Sequence, residues 1–214
     1  MRLWFGVIVI AALTFGAAAK DYPANEQPLY GGITKTPEML QADQQFIDVI
    51  LKQGYSRAQG SDKAVETGWI YLRRGDLATA MKRFNQAWLL DPDNGDAFHG
   101  FAATVMSRDQ DAGAADALFK LGIAKSRQKP GIFLDYGRFL LMMKRSAEAV
   151  PVLQKAVSFA DMGPEGEALL TVALYQSGDQ KAGCAELAKV KIDIQQKPVA
   201  DLLHRIVGNC RSAP

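Results

Sequence analysis

Residues 68–92 read GWIYLRRGDLATAMKRFNQAWLLDP, and the architecture of the whole chain can be worked out from this stretch. Gly68 has no Cβ and lets two helices approach closely, while Gly75 suits the positive φ with which many helices end. Phe84 fills the space between the two helices, and Pro92 prevents the second one from continuing. Further positions complete the pattern at helical spacings, namely Tyr71, Asp76, Ala80 and Ala87. The stretch therefore predicts two helices joined by a tight turn.

The same spacing returns three times toward the C terminus. The third copy repeats the intervals of the first, at Gly137, Leu140, Ala149, Leu153 and Ala156. The second copy has one inserted residue and contains Phe98, Phe101, Ala102, Val105, Ala115 and Phe119. The fourth keeps Leu170, Leu174, Gly178-Asp179 and Leu187, with Gly183 in place of alanine. Self-similarity of this kind predicts stacked helical pairs, with repeats at about 61–94, 95–129, 130–163 and 164–190.

These spacings resemble the tetratricopeptide repeat, a 34-residue helix–turn–helix unit. The resemblance covers residues 61–190, although the tryptophan of the family's pattern is replaced by Ala64 in the first copy. It implies an all-α fold, a right-handed superhelical array of three to four repeats with a capping helix at each end. Residues 81–92, MKRFNQAWLLDP, look like one version of the repeat in small exported bacterial members of unassigned role.

A capping helix is predicted on each side of the repeats, so that the solenoid spans 38–214. The first helix, at 38–53, follows Thr36 as a capping residue and Pro37 at the first helical position. Gly54 and the polar stretch 56–63 are expected to end that unit. The last helix, at 198–208, has an apolar stripe of Val199, Leu202, Leu203, Ile206 and Val207.

The first nineteen residues have the order of a secretory signal peptide. Arg2 precedes the apolar run Leu3–Phe15, and Ala17-Ala18-Ala19 offers a cleavage site. The run is short for a membrane span, which needs roughly 20 apolar residues; an uncleaved anchor, and with it membrane contact, stays open as the alternative. We expect a periplasmic or secreted protein that begins near Lys20. Residues 20–37, which hold three prolines and two adjacent glycines, predict a flexible leader.

The two cysteines, Cys184 and Cys210, predict one disulfide. An exported chain meets oxidising conditions. Cys184 lies early in the second helix of the last repeat and Cys210 is expected just after the last helix. If the two helices pack antiparallel, their Cα atoms can come within the ~4.4–6.8 Å that a disulfide needs.

The resemblance also implies a partner and a binding surface. In tetratricopeptide proteins the first helix of each repeat lines a concave groove that binds an extended or helical peptide. By repeat position, the groove residues of this chain are Trp69, Leu72, Arg73, His99, Ala103, Met106, Arg138, Leu141, Met142, Val172 and Tyr175. Helical arrays also expose such residues without function, or use them in the core. A clamp of lysine and asparagine for C-terminal carboxylates is absent from the pattern.

The composition excludes several function classes. The 214 residues carry 25 Lys plus Arg and 23 Asp plus Glu, and a net charge of +2 gives no electrostatic reason for nucleic acid as the main partner. Two cysteines and two histidines leave little for a metal site or a catalytic triad. The acidic string 91–96 fails as an EF-hand loop, since Asp96 and Ala102 stand where glycine and glutamate are required, and predicts a polar turn.

We therefore expect no catalytic residues, no metal and no small-molecule cofactor. The leading hypothesis is a non-enzymatic protein that binds another protein or peptide in the bacterial cell envelope. Two alternatives remain open: a structural subunit of an envelope or secretion assembly that uses its convex faces, and an envelope hydrolase, which has no motif behind it.

Overall fold

The computed structural model describes residues 22–125, 127–159, 163–190 and 197–212. Two short 3-10 helices, Ala24–Glu26 and Pro28–Gly32, precede the α-helices. Within these ranges there is no β-strand, and the α-helices are α1 (Pro37–Lys52), α2 (Arg57–Arg73), α3 (Leu77–Leu90), α4 (Gly95–Asp109), α5 (Ala112–Ile123), α6 (Pro130–Met142), α7 (Ser146–Val157), α8 (Gly163–Gln176), α9 (Gln180–Leu187) and α10 (Lys197–Ser212). The predicted all-α fold is confirmed. The predicted signal peptide at 1–19 lies outside the described residues.

The chain divides into two compact units, and the boundary falls within α5, between Leu118 and Phe119. The first unit contains α1 to α4, with α2 packed along α3 and α3 along α4. The second contains α6 to α10, and each helix from α6 to α9 packs on the next. The core residues recur with the period of the repeats, and the largest fully buried apolar side chains are Met81, Phe84, Leu90, Phe101, Leu118, Ile132, Leu140, Leu153, Leu203 and Ile206.

Glycines without a Cβ allow the close helix packing of both units. A Cβ added at Gly68 would lie 2.5 Å from Cε1 of Phe84, and one at Gly100 would lie 2.2 Å from the same ring. In the second unit, a Cβ at Gly137 would lie 2.3 Å from Leu153. The fully buried Phe84 ring thus occupies space that α2 and α4 leave open, as the sequence predicts for Phe84 and Gly68.

The turn inside each helical pair contains one residue with a left-handed backbone. The φ angles are 80° at Gly75, 55° at Gln110, 58° at Lys144 and 101° at Gly178. These positions lie 34 or 35 residues apart, so the same turn is built four times. Two of the four residues are not glycines, although a Cβ makes this conformation unfavourable.

The polar stretch 56–63 belongs to α2, and this corrects the prediction that it separates α1 from the first repeat. Ser56 caps the helix: its hydroxyl accepts a hydrogen bond from the Gln59 amide, and the Gln59 side chain accepts one from the Ser56 amide. The hydroxyl of the fully buried Ser61 donates to the Ala87 carbonyl at 2.8 Å and accepts from Asn94 Nδ2. Gly60 and Ser61 of this stretch are buried in helix contacts, although the hydropathy of the stretch alone is typical of a linker.

The leader also differs from the prediction. Residues 22–33, which we call the strap, pack on α3 and on the end of α4 through hydrogen bonds, so they are not a loose segment. The adjacent glycines do not mark flexibility there. Gly31 and Gly32 continue a left-handed turn that begins at Leu29 and Tyr30, with φ between 55° and 67°.

Both end helices form. Thr36 accepts a hydrogen bond from the Met39 amide at the start of α1, and Pro37 is the first helical residue, as predicted. The last helix is longer than predicted, so that Cys210 lies within α10 and not after it. Each helix in the described part of the chain is too short or too polar to cross a bilayer.

Candidate protein-binding surface

The predicted groove residues of the first unit lie on α2 and α4, around the indole ring of Trp69. The centroid of this ring is 4.7 Å from that of His99 and 5.7 Å from that of Phe84, and both contacts are edge to face. Trp69 is half-buried, so one part of the ring is fixed and another part meets solvent. Such a ring contributes a large contact area at a small cost in conformational entropy.

His99 does not offer the surface that the sequence predicts for it. Its side chain is 6 % exposed and lies against Trp69. This position supports the indole ring and leaves little of the imidazole for a partner. The difference arises because the tryptophan of the previous repeat covers a polar residue whose helix position alone predicts exposure.

The other predicted residues of this face are accessible to different degrees. Arg73 is exposed, while Leu72 and Met106 are half-buried. Ile70, which the repeat pattern does not single out, is 41 % exposed and lies one helical turn before Arg73. We call Trp69, Ile70, Leu72, Arg73 and Met106 the α2–α4 face.

In the second unit, Arg138 is held by carboxylates of its own unit. Its guanidinium forms ion pairs with Asp135 on the same helix and with Glu165 on α8. All three side chains are about one-third exposed. The arginine therefore joins α6 to α8, and its charge is balanced by two carboxylates before any ligand arrives.

Tyr175 packs against α10, and Leu141 packs on a buried cluster to which α10 contributes. They contact a buried cluster formed by Ala168 and Val172 of α8, Val190, and Leu203 and Ile206 of α10. The Tyr175 hydroxyl also accepts a hydrogen bond of 2.8 Å from Asn209 Nδ2. Here α10 covers positions that the repeat pattern assigns to a groove. Met142, in contrast, is 64 % exposed.

The predicted disulfide between Cys184 and Cys210 is present, with the Cα atoms 5.6 Å apart. It joins α9 to α10, and Cys210 packs against the same buried cluster. The bridge therefore holds the covering helix in place.

Residues 91–94 form a polar turn between α3 and α4, in agreement with the prediction, and Gly95 and Asp96 already belong to α4. The fully buried Asn94 accepts a hydrogen bond from the Asp96 amide, and its Nδ2 donates to Ser61 and Asp62. In the described ranges, no three His, Cys, Asp or Glu side chains are grouped so as to hold a metal ion.

A second polar cluster, which the repeat pattern does not reveal, lies where the strap meets α3. Asn85 is fully buried there and forms three hydrogen bonds to strap backbone atoms: it accepts from the Tyr30 amide and donates to the carbonyls of Asn25 and Gln27. An asparagine on the apolar side of a predicted helix was the available signal, because a buried amide requires partners.

Solved structures with the same arrangement of helices are known. The structure of Pseudomonas aeruginosa PilF matches with a TM-score of 0.61 at 21 % identity, over 73 % of this chain and 72 % of that one. YrrB, described as a TPR protein with an unusual peptide-binding site, matches with a TM-score of 0.55 at 17 % identity, over 77 % of this chain and 84 % of that one. The chain has the tetratricopeptide-repeat fold. The helices α2 to α9 follow one another in the order that four helix–turn–helix repeats require.

A comparison of sequences also gives PilF as a relative of this chain. The type IV pilus assembly protein PilF of Pseudomonas aeruginosa is 29 % identical over 106 residues. The match spans 50 % of this chain and 42 % of the relative, so less than half of the pilus protein's length is covered. No protein-family model matches the chain.

Proposed function

We propose that the protein is a non-enzymatic scaffold of the bacterial cell envelope, and that it binds a segment of another protein on the α2–α4 face. The observation that carries this proposal is the Trp69 ring. The ring is fixed beside His99 and Phe84 and is partly exposed, and Ile70 and Arg73, one and four positions later on α2, are exposed.

The partner chemistry follows from these side chains. Tryptophan and arginine are the residues that most often dominate binding energy at protein interfaces. Methionine adapts to ligands of different shape, and an arginine head pairs a carboxylate with two parallel hydrogen bonds. We infer a peptide segment that places an apolar side chain on Trp69 and Ile70 and a carboxylate on Arg73.

Three observations support a location in the cell envelope. The sequence of residues 1–19 is typical of an export signal, the chain has a disulfide, and a relative is named as a type IV pilus assembly protein. We infer an envelope protein that acts in the assembly of a surface machine such as a pilus. The intact mass of the protein from the periplasmic fraction should correspond to a chain that starts at Lys20; a mass that includes residues 1–19 would instead indicate a retained anchor.

Partner capture tests the binding surface. The full chain is used to capture proteins from the native envelope fraction, and the captured proteins are identified by mass spectrometry. Arg73→Glu reverses an exposed charge and should remove the partner while helix content is retained. Lys52→Glu, a reversal at an exposed position on α1, is the matched control and should capture normally.

Two further variants extend this test. Trp69→Ala should also abolish capture, with circular dichroism to show that the helices remain. Arg138→Ala should have little effect, because two carboxylates already occupy its guanidinium. If Arg73→Glu and Trp69→Ala both capture the same proteins as the native chain, the α2–α4 face is not the binding surface and an assembly role through the other helix faces is favoured.

A further inference from the structure

The strap carries three side chains at regular spacing, and each one meets a partner on α3 or α4. The Arg108 guanidinium lies 3.7 Å from the Tyr22 ring centroid. Lys82 Nζ pairs with Glu26 at 2.9 Å. The Tyr30 ring lies 6.3 Å from that of Trp88. These strap residues are four positions apart, so the surface matches the pattern Tyr-x3-Glu-x3-Tyr.

The same surface also binds the strap's main chain. Asn85 forms its three hydrogen bonds to backbone atoms of Asn25, Gln27 and Tyr30, at 2.8 to 3.2 Å. Arg108 Nη1 donates to the Glu26 carbonyl at 2.7 Å. Side chains of the folded helices thus satisfy the polar groups of a short peptide, which is how peptide-binding proteins hold their ligands.

The strap is held mainly by hydrogen bonds, an ion pair and ring contacts, and little by buried apolar packing. None of the residues in its 3-10 helices is buried. Leu29 and Tyr30 adopt left-handed backbones, which disfavour residues with a Cβ. Segments that bury few residues open most readily. The face below them offers the Asn85 amide on α3, which is fully buried under the strap and needs hydrogen-bond partners wherever a segment covers it.

We propose that Lys82, Asn85, Trp88 and Arg108, the strap surface, form a second peptide-docking site, which the strap occupies as an intramolecular competitor. The partner is a segment of another protein with an aromatic, an acidic and an aromatic residue at intervals of four. A tethered competitor acts at an effective concentration near the millimolar range. The strap therefore sets a threshold, so that only a partner that binds more tightly or is locally concentrated displaces it.

A different protein is a better occupant than a second copy of this chain. An exchanged strap would restore the same contacts, including the left-handed Leu29 and Tyr30, and would add the entropic cost of association. A partner that reaches the same hydrogen-bonding groups with an ordinary backbone avoids this strain. Displacement of the strap needs an occupant that binds the strap surface more favourably than the strap does, and only such a partner meets this requirement.

The experiment measures binding of a fluorescent synthetic peptide of residues 20–34 to the full chain. Tyr30→Ala weakens the strap and leaves the strap surface intact, so it should bind the peptide at least about tenfold more tightly than the native chain. Tyr55→Ala removes a tyrosine outside the strap, and its affinity should equal that of the native chain. Equal affinity of all three proteins would overturn the proposal.

A charge exchange locates the bound peptide. In the Tyr30→Ala background, Lys82→Glu should weaken binding of the native peptide, and a peptide with Glu26→Lys should restore it. Lys82 is partly exposed, so this variant should fold even if Asn85→Ala, the second variant expected to lose binding, does not. Failure of the exchanged peptide to recover affinity would show that the peptide binds elsewhere.

Two controls distinguish the strap surface from the α2–α4 face and from a dimer interface. Arg73→Glu should leave peptide binding unchanged, because the strap surface and the α2–α4 face do not share a residue. Sedimentation of the native chain should show a monomer with and without the peptide. A dimer that the peptide dissociates would make a second copy the occupant and would contradict the proposal of a different partner.

Discussion

At the scale of single residues, the left-handed turn positions differ in how well their side chains suit the backbone. Lys144 has a φ of 58° at the position where the first and last repeats have glycine. Lys144→Gly should raise the free energy of unfolding by about 0.5–1 kcal/mol, because glycine adopts this φ without steric cost. Urea denaturation checks the change.

The matched control for this substitution lies in the next helix. Gln154→Gly places glycine at an exposed position inside α7, where it should lower the free energy of unfolding by about 1 kcal/mol. If both substitutions stabilise the chain, or if neither does, the left-handed backbone at Lys144 does not explain the change in the free energy of unfolding.

The packing around Gly68 leaves no space for a larger side chain. Gly68→Ala would place a Cβ 2.5 Å from Cε1 of Phe84, a fully buried ring between two helices. We expect a loss of roughly 1–3 kcal/mol in the free energy of unfolding. In Gly113→Ala the nearest atom is Oδ1 of Asp111 at 3.5 Å, an ordinary van der Waals distance, so thermal denaturation should show no loss of stability there. Equal transition temperatures for the two variants would contradict this view of the packing.

Tyr30 gives the strap a dependence on alkaline pH. Burial, and secondarily the negative charge of Asp43, raise the pKa of Tyr30 from its ordinary value of 10 to about 12. The neutral phenol is thus favoured in the folded state. Its contribution to stability is complete below pH 10 and is lost as the pH rises through about 12. Lys35 contacts the same ring, with Nζ 3.6 Å from the centroid.

Tyrosinate absorbance measures this effect. The native chain has six tyrosines, and one of them should ionise near pH 12. Tyr30→Phe keeps the ring and should remove that late component, whereas Tyr55→Phe should keep it. A late component that survives in Tyr30→Phe would assign it to another tyrosine.

At the scale of elements, α10 depends on the disulfide to α9. The bridge closes a loop with a sequence separation of 26. The double substitution Cys184→Ser and Cys210→Ser should lower the stability of the second unit by about 3 kcal/mol in the chain-entropy model. Hydrogen exchange should show the largest loss of protection in α10.

Reduction of the native chain should have the same effect as the double substitution, and a reductant should leave the double variant unchanged. The unreduced exported protein should contain no free thiol by alkylation and mass. Two alkylated cysteines without prior reduction would show that the bridge is not formed.

The helices could be predicted where apolar spacing and local capping agree. Gly68 and Phe84, the left-handed Gly75 and the cap at Thr36 are local features, and each has the role expected of it. The start of α2 could not be predicted in this way, because its buried residues, Gly60 and Ser61, are small or polar. Their burial comes from contacts with distant residues, such as Ala87, which hydropathy does not report.

At the scale of the whole molecule, the candidate site could be predicted in part. Repeat position assigns Trp69 and Arg73 to a groove; in the structure Trp69 is half-buried and Arg73 is exposed, and their role in binding stays a prediction. Repeat position could not show that His99 is buried, since this depends on the Trp69 ring of the previous repeat. Nor could it show that α10 contacts Tyr175, because that contact spans 34 residues and depends on how the last helix returns.

The strap is the clearest case of a contact outside the reach of sequence patterns. Asn85 binds residues that lie 55 to 60 positions earlier in the chain. Proline and glycine content correctly excluded a regular α-helix there, and it carried no information about a docking surface elsewhere. The placement of this segment on α3 and α4 comes from its tertiary contacts.

The last helix, α10, and the first helix, α1, differ in their exposed side chains. Asp201, His204 and Arg205 are exposed along α10, so a further repeat stacked there would bury charged or polar side chains at a cost. Leu40 and Leu51 of α1 are each about half exposed at the opposite end of the sequence. Stacking of a further repeat on α10 is therefore disfavoured in the second unit, where the disulfide secures this helix.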